Sequence, residues 1–279
     1  MLGYSLFKNL SDKSNLDIYG TIRNKERYKD KFTKNEFNKI LELDVLEQAN
    51  EIKEVISHIN PNYVINCIGA ISQKENEDKN LIYLNSFFPH VLKENCDASS
   101  VKLVHFSTDC VFSGEKGNYS EVDFSDAYDL YGKSKYLGEI LSTNHLTIRT
   151  SIIGHELISN LSLVDWFLNE KGSVKGYTNA IFTGFPCVYI SEILNNYIFT
   201  NNKLGGLVHL AAKPINKYDL LSNIAKIYKK DIEVKKYEDY YSNKSLNSTK
   251  FNTLTGFNPP EWSLLIPLMH EEYCKNYKN

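Results

Sequence analysis

The sequence predicts an α/β protein, a doubly wound parallel sheet with a smaller carboxyl-terminal substrate lobe. Three observations carry this. Short apolar runs alternate with helical stretches from residue 16 to residue 153, the pattern of strand–helix units in a parallel sheet. The residues just past the runs are Arg23, Asp44, Gly69, Thr108 and Ser151, and in such a sheet ligands lie beyond the carboxyl ends of the strands. Tyr131 and Lys135 stand four apart in a helical stretch, so both side chains lie on one face, one turn apart.

Taken in order, Met1 to Leu10 reads as an amphipathic helix with Leu2, Leu6 and Leu10 on one stripe. Leu16 to Ile22 is a short strand ending at Arg23, and Ile40 to Leu43 another ending at Asp44. Ala49 to Ile59 carries Ile52, Val55, Ile56 and Ile59 at helical spacing, and Pro61 stops it. Tyr63 to Ile68 is a mostly apolar run ending at Gly69, as a parallel strand buried on both faces should be. A helix from Asn80 to Asn95 follows, then a strand from Val101 to Phe106. A loop runs from Asp109 to Asp129, a helix from Tyr131 to Leu141, and a strand from Leu146 to Arg149. Beyond Gly154 the expected elements are helices at 161–169 and 191–199, a strand at 206–211, a helix at 216–228 capped by Asn216, and a short amphipathic helix after Trp262. No strand is expected in the Gly-, Thr- and Asn-rich stretch 172–186. Residues 1–153 are expected to form the dinucleotide-binding domain, with 191–230 returning to it; 154–190 and 231–279 form the lobe.

Composition narrows the function. The chain has 279 residues, is 42% hydrophobic and 24% charged, and carries a formal net charge of −2. Without a basic surplus there is no electrostatic support for nucleic-acid or anionic-membrane binding. No apolar run is long enough to cross a membrane, and no secretory leader is evident at residue 1. The five cysteines are odd in number and scattered, without metal-site or redox-dithiol spacing. A reduced cytoplasmic protein without a metal is the simplest account.

A doubly wound sheet normally opens on a central strand whose glycine loop grips the cofactor pyrophosphate. Here the sequence opens on a helix with Gly3 in its first turn. Met1-Leu2-Gly3 reads as the end of a Gly-x-x-Gly-x-x-Gly loop. The expectation is that the first strand and the glycine loop are missing from this sequence and lie roughly ten residues upstream, one short strand plus its turn.

Chemistry concentrates at two places. Ser107-Thr108-Asp109 closes an apolar run, and Tyr131-Gly132-Lys133-Ser134-Lys135 opens a helix. An ammonium beside a phenol favours the phenolate, so Lys135 is expected to lower the Tyr131 pKa from its usual ~10 and tune it for proton transfer. Thr108 supplies a hydroxyl at the same site; its plainer reading is a strand-end hydroxyl capping a turn. Arg23 ends the second strand where an acid binds a ribose 2′-hydroxyl and an Arg accommodates a 2′-phosphate. This favours NADPH, with NADH as the alternative; a solvated surface Arg is the plainer reading.

Together these features resemble the extended short-chain dehydrogenase/reductase family, its sugar-nucleotide branch, and within that the dTDP-4-dehydrorhamnose reductases. Ser107-Thr108-Asp109-Cys110-Val111-Phe112-Ser113-Gly114 is similar to the Ser-Thr-Asp-Tyr-Val-Phe-x-Gly segment of that group. Tyr119-x-Glu121-x-Asp123, Gly138-Glu139 and Ile148-Arg149-Thr150-Ser151 follow in the same order. Cys110 stands where Tyr is usual. The resemblance implies that Tyr131 donates a proton to a ketone oxygen, Thr108 orients that oxygen, and Lys135 holds the nicotinamide ribose. It places Gly3, Arg23, Asp44, Val45, Cys67, Ile68, Gly69, Asn85, Lys135 and Ser151 at the cofactor. Asn85 could equally be a helix-surface amide.

For substrate it points to Val111 and Phe112, and in the lobe to Asn179 and Trp166, although a buried Trp is more often core. His155 is read as a substrate contact or a loop cap, and Lys244-Ser245-Leu246-Asn247-Ser248 is similar to an Arg-Ser-Leu-Asn-Ser segment of some relatives. The implied activity is NAD(P)H-dependent reduction of a 4-keto nucleoside-diphosphate deoxysugar in surface polysaccharide biosynthesis. A nucleotide-sugar epimerase/reductase, and a non-catalytic regulatory subunit on the same fold, are the alternatives. Monomer and homodimer both stay open.

Overall fold

A computed structural model describes residues 1–71 and 78–278. In chain order its elements begin with α1 (Leu2–Ser11), β1 (Gly20–Ile22), α2 (Lys34–Asn38), β2 (Ile40–Glu42), α3 (Ile52–Ile59) and β3 (Tyr63–Asn66). Then come α4 (Asp78–Ile82), a π-helical turn (Tyr83–Phe87), α5 (Phe88–Ala98), β4 (Lys102–Ser107), α6 (Leu130–Leu137), β5 (Leu146–Arg149) and β6 (Ile152–Ile153). The remainder is α7 (Leu163–Asn169), β7 (Ser173–Phe182), β8 (Phe185–Pro186), α8 (Cys187–Ile193), β9 (Gly206–His209), β10 (Ile215–Asn216), α9 (Lys217–Tyr228), β11 (Glu233–Asn243), α10 (Thr249–Thr255) and α11 (Trp262–Asn276).

The main sheet is parallel, in the order β3-β4-β5-β9. Its two faces are covered by different helices, because side chains alternate along each strand. Val104 and Phe106 pack with Leu2, Leu6 and Leu10 of α1 and Ile190 and Ile193 of α8. Leu103 packs with Ile52 and Ile56 of α3 and Phe88, Leu92 and Cys96 of α5. Phe88 is almost fully buried, a placement that contributes about 1.5–3 kcal/mol. α3 ends at the expected place and α6 begins within a residue of it, but α6 stops at Leu137, four residues short of the expected Leu141. Asn60 takes a left-handed cap before Pro61, and the Asp129 carboxylate accepts the Gly132 N–H to start α6.

The fold departs from expectation in four places. β1 is only three residues long, because its ladder to β2 spans only Gly20 to Ile22; Leu16 to Tyr19 approach it unpaired. β1 and β2 form a separate two-stranded sheet, and a groove of about 1830 Å³ divides it from β3. The stretch 172–186 contains the ten-residue β7, centre of a second sheet in the order β10-β7-β11. β11 is rich in Lys and Tyr and exposed along much of its length, the polar composition of an edge strand, which hid it from periodicity.

Domain boundaries also move. β9 joins the main sheet as expected, but α9 packs on β7 and β11 and so belongs to the lobe. Conversely α8 packs against α1 in the main domain. No described helix is long and apolar enough to cross a membrane.

Candidate functional site

The site forms where β4 ends and α6 begins. Thr108 follows β4 in extended conformation, and its Oγ1 accepts the Cys110 N–H at 3.1 Å. It also donates to Asp109 Oδ1 at 3.2 Å, while Ser151 Oγ donates to Asp109 Oδ2 at 2.9 Å. Asp109 thus fixes the ends of two neighbouring strands. The Thr108 hydroxyl lies close enough to hydrogen-bond the Tyr131 phenol.

Two glycines let α6 come this close. A Cβ on Gly132 would stand 2.2 Å from the Cys110 carbonyl oxygen, and one on Gly138 1.9 Å from that of Asn85. Neither position has room for a side chain.

Lys135 is buried on the expected face, but its Nζ donates to the Phe106 carbonyl at 2.7 Å. Burial lowers its pKa to about 8, opposed by Glu139 and Cys67. The expected lowering of the Tyr131 pKa is not found. Burial raises it, Cys110 and Asp109 add to the rise, and only the Thr108 hydrogen bond opposes. The ammonium is directed to a backbone carbonyl, so desolvation of the phenol wins. Tyr131 is therefore a neutral phenol at pH 7.

A buried pair braces this centre. Glu139 receives Arg149 Nε and a second guanidinium nitrogen, each at 2.7 Å, and Ser107 Oγ at 2.7 Å. Both partners are nearly inaccessible, so the end of α6, β4 and β5 are tied at one point.

The other predicted residues divide. Gly3, Arg23, Asp44, Val45, Cys67 and Ile68 all line the groove beside β1 and β3, together with Arg27. Gly69 sits near Lys135: a Cβ there would lie 3.9 Å from its Nζ. Asn85, expected to touch cofactor, is fully buried in the π-helical turn. Its Oδ1 accepts the Ala70 N–H at 2.9 Å, and its Nδ2 donates to the Ala70 carbonyl at 2.9 Å and to Ser134 Oγ at 3.1 Å. With both amide hydrogens used, it anchors the segment after β3 to α6.

Val111 and Phe112, expected at the substrate, are also fully buried. Phe112 stacks on Tyr119 with ring centroids 4.1 Å apart, under the Arg149 guanidinium. Apolar side chains at this turn find more contact inward than in the crevice. Trp166 is 38% exposed on α7. Asn179 donates to the Glu238 carbonyl at 2.8 Å across the lobe sheet. His155 is buried, bonded to Asp165 at 2.5 Å and the Tyr228 hydroxyl at 2.9 Å, so it is a core histidine rather than a substrate contact. Ser245 accepts the Asn118 N–H at 2.7 Å, fastening the segment 244–248 to the loop before α6.

Sequence reasoning missed two cations. Arg27 lies beside Arg23 at the groove, and neither has an ion-pair partner among the described residues. Lys217, just past the Asn216 cap, packs its ammonium 4.4 Å from the Phe182 ring centroid. Burial lowers its pKa to about 8, while Asp109 and Cys110 oppose. Nothing local marks Lys217, because the lobe reaches the crevice only in three dimensions. No cluster able to hold a metal occurs among the described residues.

A doubly wound sheet with Ser-Thr-Asp at one strand end and Tyr-x-x-x-Lys on the next helix defines a short-chain dehydrogenase/reductase fold. Residues 1–173 match the RmlD substrate binding domain family, and the chain belongs to that family. It is 26% identical over 191 residues to a dTDP-4-dehydrorhamnose reductase of Aggregatibacter actinomycetemcomitans, covering 64% of this chain and 65% of that protein. It is 29% identical over 107 residues to the enzyme of the same name from Salmonella typhimurium, covering 36% of each. The matches thus span less than two thirds of either relative. In structure it is similar to the dTDP-4-dehydrorhamnose reductase of Bacillus anthracis in complex with NADP, with a TM-score of 0.72, 20% identity, and 92% and 99% of the two chains covered.

Proposed function

We propose that this chain is an NADPH-dependent reductase of a 4-keto nucleoside-diphosphate deoxysugar. The observation that carries the reading is the meeting of the Thr108 and Tyr131 hydroxyls at the end of β4, with Lys135 buried beside them. The similarity to two dTDP-4-dehydrorhamnose reductases supports the substrate class.

The groove suits a dinucleotide. Its wall carries the first turn of α1 at Gly3, the guanidinium groups of Arg23 and Arg27, and Asp44, Val45, Cys67 and Ile68. The N–H groups at the start of α1 favour a pyrophosphate, and the two guanidinium groups favour a 2′-phosphate. NADPH bound there would supply the hydride that no side chain can. Lys135 would hold the ribose hydroxyls. Thr108 would orient the ketone oxygen by donating to it, and Tyr131, neutral at pH 7, would give that oxygen its proton. Lys217, which makes no ion pair among the described residues, would take the substrate diphosphate. Asn179 and Trp166 are the lobe residues proposed to border the sugar nucleotide.

Turnover of a dTDP-4-keto-6-deoxyhexose with NADPH tests the reading. Wild type should oxidise NADPH only when the sugar nucleotide is present. Tyr131→Phe should lose that rate while binding NADPH as before. Equal rates for the two proteins would overturn it. For Arg23→Ala the expected outcome is a weaker preference for NADPH over NADH, read from the two dissociation constants.

A homodimer is part of the same proposal. Ile82, Phe87, Tyr136, Leu137 and Leu141 are exposed where α4 and the π-helical turn meet α6. An apolar face on two adjacent helices suits association with a second copy. Sedimentation velocity should give twice the chain mass, and Leu137→Asp should return it to the monomer.

A further inference from the structure

We propose that Glu272 of α11 is a positioning residue for the cofactor, a role that rests on the groove being the NADPH site: its carboxylate fixes where the first turn of α1 stands in that groove.

α1 meets its surroundings through three stripes, and they differ in kind. Leu2, Leu6 and Leu10 pack into the core. Apolar contact is non-directional, so it holds the helix down without fixing how far it slides along its axis or rolls about it. A second stripe, with Gly3 and Phe7, lines the groove. Ser5 and Asn9 form the third; four apart, they share one face of the helix. Ser5 is fully buried, which is unusual for its type.

Both polar side chains of the third stripe end on one atom. Ser5 Oγ donates to Glu272 Oε1. Asn9 Nδ2 donates to the same oxygen at 2.7 Å and to the Ser5 carbonyl at 2.8 Å. Glu272 is only 3% exposed. Hydrogen bonds weaken steeply with poor distance or angle, so two donors from successive turns, converging on one acceptor, set both the height and the roll of α1. One turn further along α11, the Asn276 carbonyl accepts the Tyr4 hydroxyl at 3.1 Å, and the Tyr277 ring meets Tyr4 edge-on with centroids 5.3 Å apart. Tyr4 and Ser5 follow directly on Gly3, so α11 grips α1 at the end that faces the groove. α11 also packs on α9, so the lobe and the cofactor helix share one support.

Stability alone does not account for an acid at this place. Burial raises the Glu272 pKa against the two hydrogen bonds that oppose the rise, and no donor among the described residues reaches Oε2. A buried carboxylate with one oxygen unpaired is less favourable than a well-packed apolar side chain of similar size. What the acid supplies is direction.

Two variants separate positioning from stability. Glu272→Gln keeps an oxygen for Ser5 and Asn9 but buries an unpaired amide, so it should lower the Tm and leave NADPH affinity within about twofold of wild type. Ser5→Ala combined with Glu272→Leu replaces both partners by apolar groups, which is nearly neutral for stability, and removes the directed contact. This double variant should keep the Tm and bind NADPH about tenfold more weakly, the scale of one or two hydrogen bonds. Its kcat at saturating NADPH should stay within about threefold of wild type, as expected when ground state and transition state lose the same binding. Dissociation constants come from fluorescence titration, kcat from turnover of the dTDP-4-keto-6-deoxyhexose, and Tm from calorimetry. A wild type that binds no NADPH would refute the groove as the NADPH site, and the role of Glu272 with it. A wild type that binds, with a double variant that binds equally well, would overturn the role of Glu272 alone. So would affinity that falls in step with Tm across both variants, the behaviour of a purely structural residue, or a loss confined to kcat.

Discussion

Tyr131 and Lys135 illustrate what one residue's surroundings do to its chemistry. Spacing put both on one face, and they are there; it could not reveal that the ammonium is held by the Phe106 carbonyl. The phenol is left protonated, its pKa raised by burial. Removing that proton with Tyr131→Phe should lower kcat by about 10²–10⁴, with NADPH affinity unchanged in a fluorescence titration. Lys135, lowered by burial to about 8, sheds its proton as pH rises through that value, so NADPH affinity should fall above pH 8, and Lys135→Met should flatten the profile. The contribution to folding has the opposite sign. Between about 8 and the ordinary lysine value of ~10.4, the unfolded chain holds more protons, so this group makes the fold more stable as pH rises across that window. Arg27 and Lys217 were illegible because they belong to no motif. Only the folded chain brings them to Arg23 and Asp109.

At the scale of elements, hydrophobic runs located the buried strands well: Leu103, Val104 and Phe106 of β4 and Leu146 and Ile148 of β5 are all buried. It failed on β7 and β11, whose stability comes from their mutual ladder and the α9 face rather than from their own pattern. The Tyr83–Phe87 turn was equally silent. A helix pattern does not reveal where the wide turn falls, yet that turn is what places the Asn85 amide between Ala70 and Ser134. Two substitutions probe how tightly α6 is seated. Arg149→Met would strand the Glu139 carboxylate in the interior, at a cost of about 3–5 kcal/mol, read as a lowered midpoint in urea. Gly138→Ala drives a methyl onto the Asn85 carbonyl, and should lower both Tm and kcat because α6 must back away from the site.

Across the whole molecule, the doubly wound class and the order of the strands were readable from the sequence, whereas the division into domains was not. Alternation reports what each segment buries, but not against which partner. Val174 and Phe182 of β7, Leu220 and Ile224 of α9, and Phe251 of α10 share one apolar cluster with Val104, Ile148 and Val208 of the main sheet. A common core predicts one calorimetric transition, with calorimetric and van't Hoff enthalpies equal; two resolved transitions would contradict it. The same continuity bears on how such a protein diversifies. A lobe assembled from separated stretches and sharing its interior with the main sheet is no cassette that recombination could lift out and exchange. On the proposed function, new substrate preferences would have to arise by substitution in place, at positions such as Lys217, while the residues behind them stay fixed.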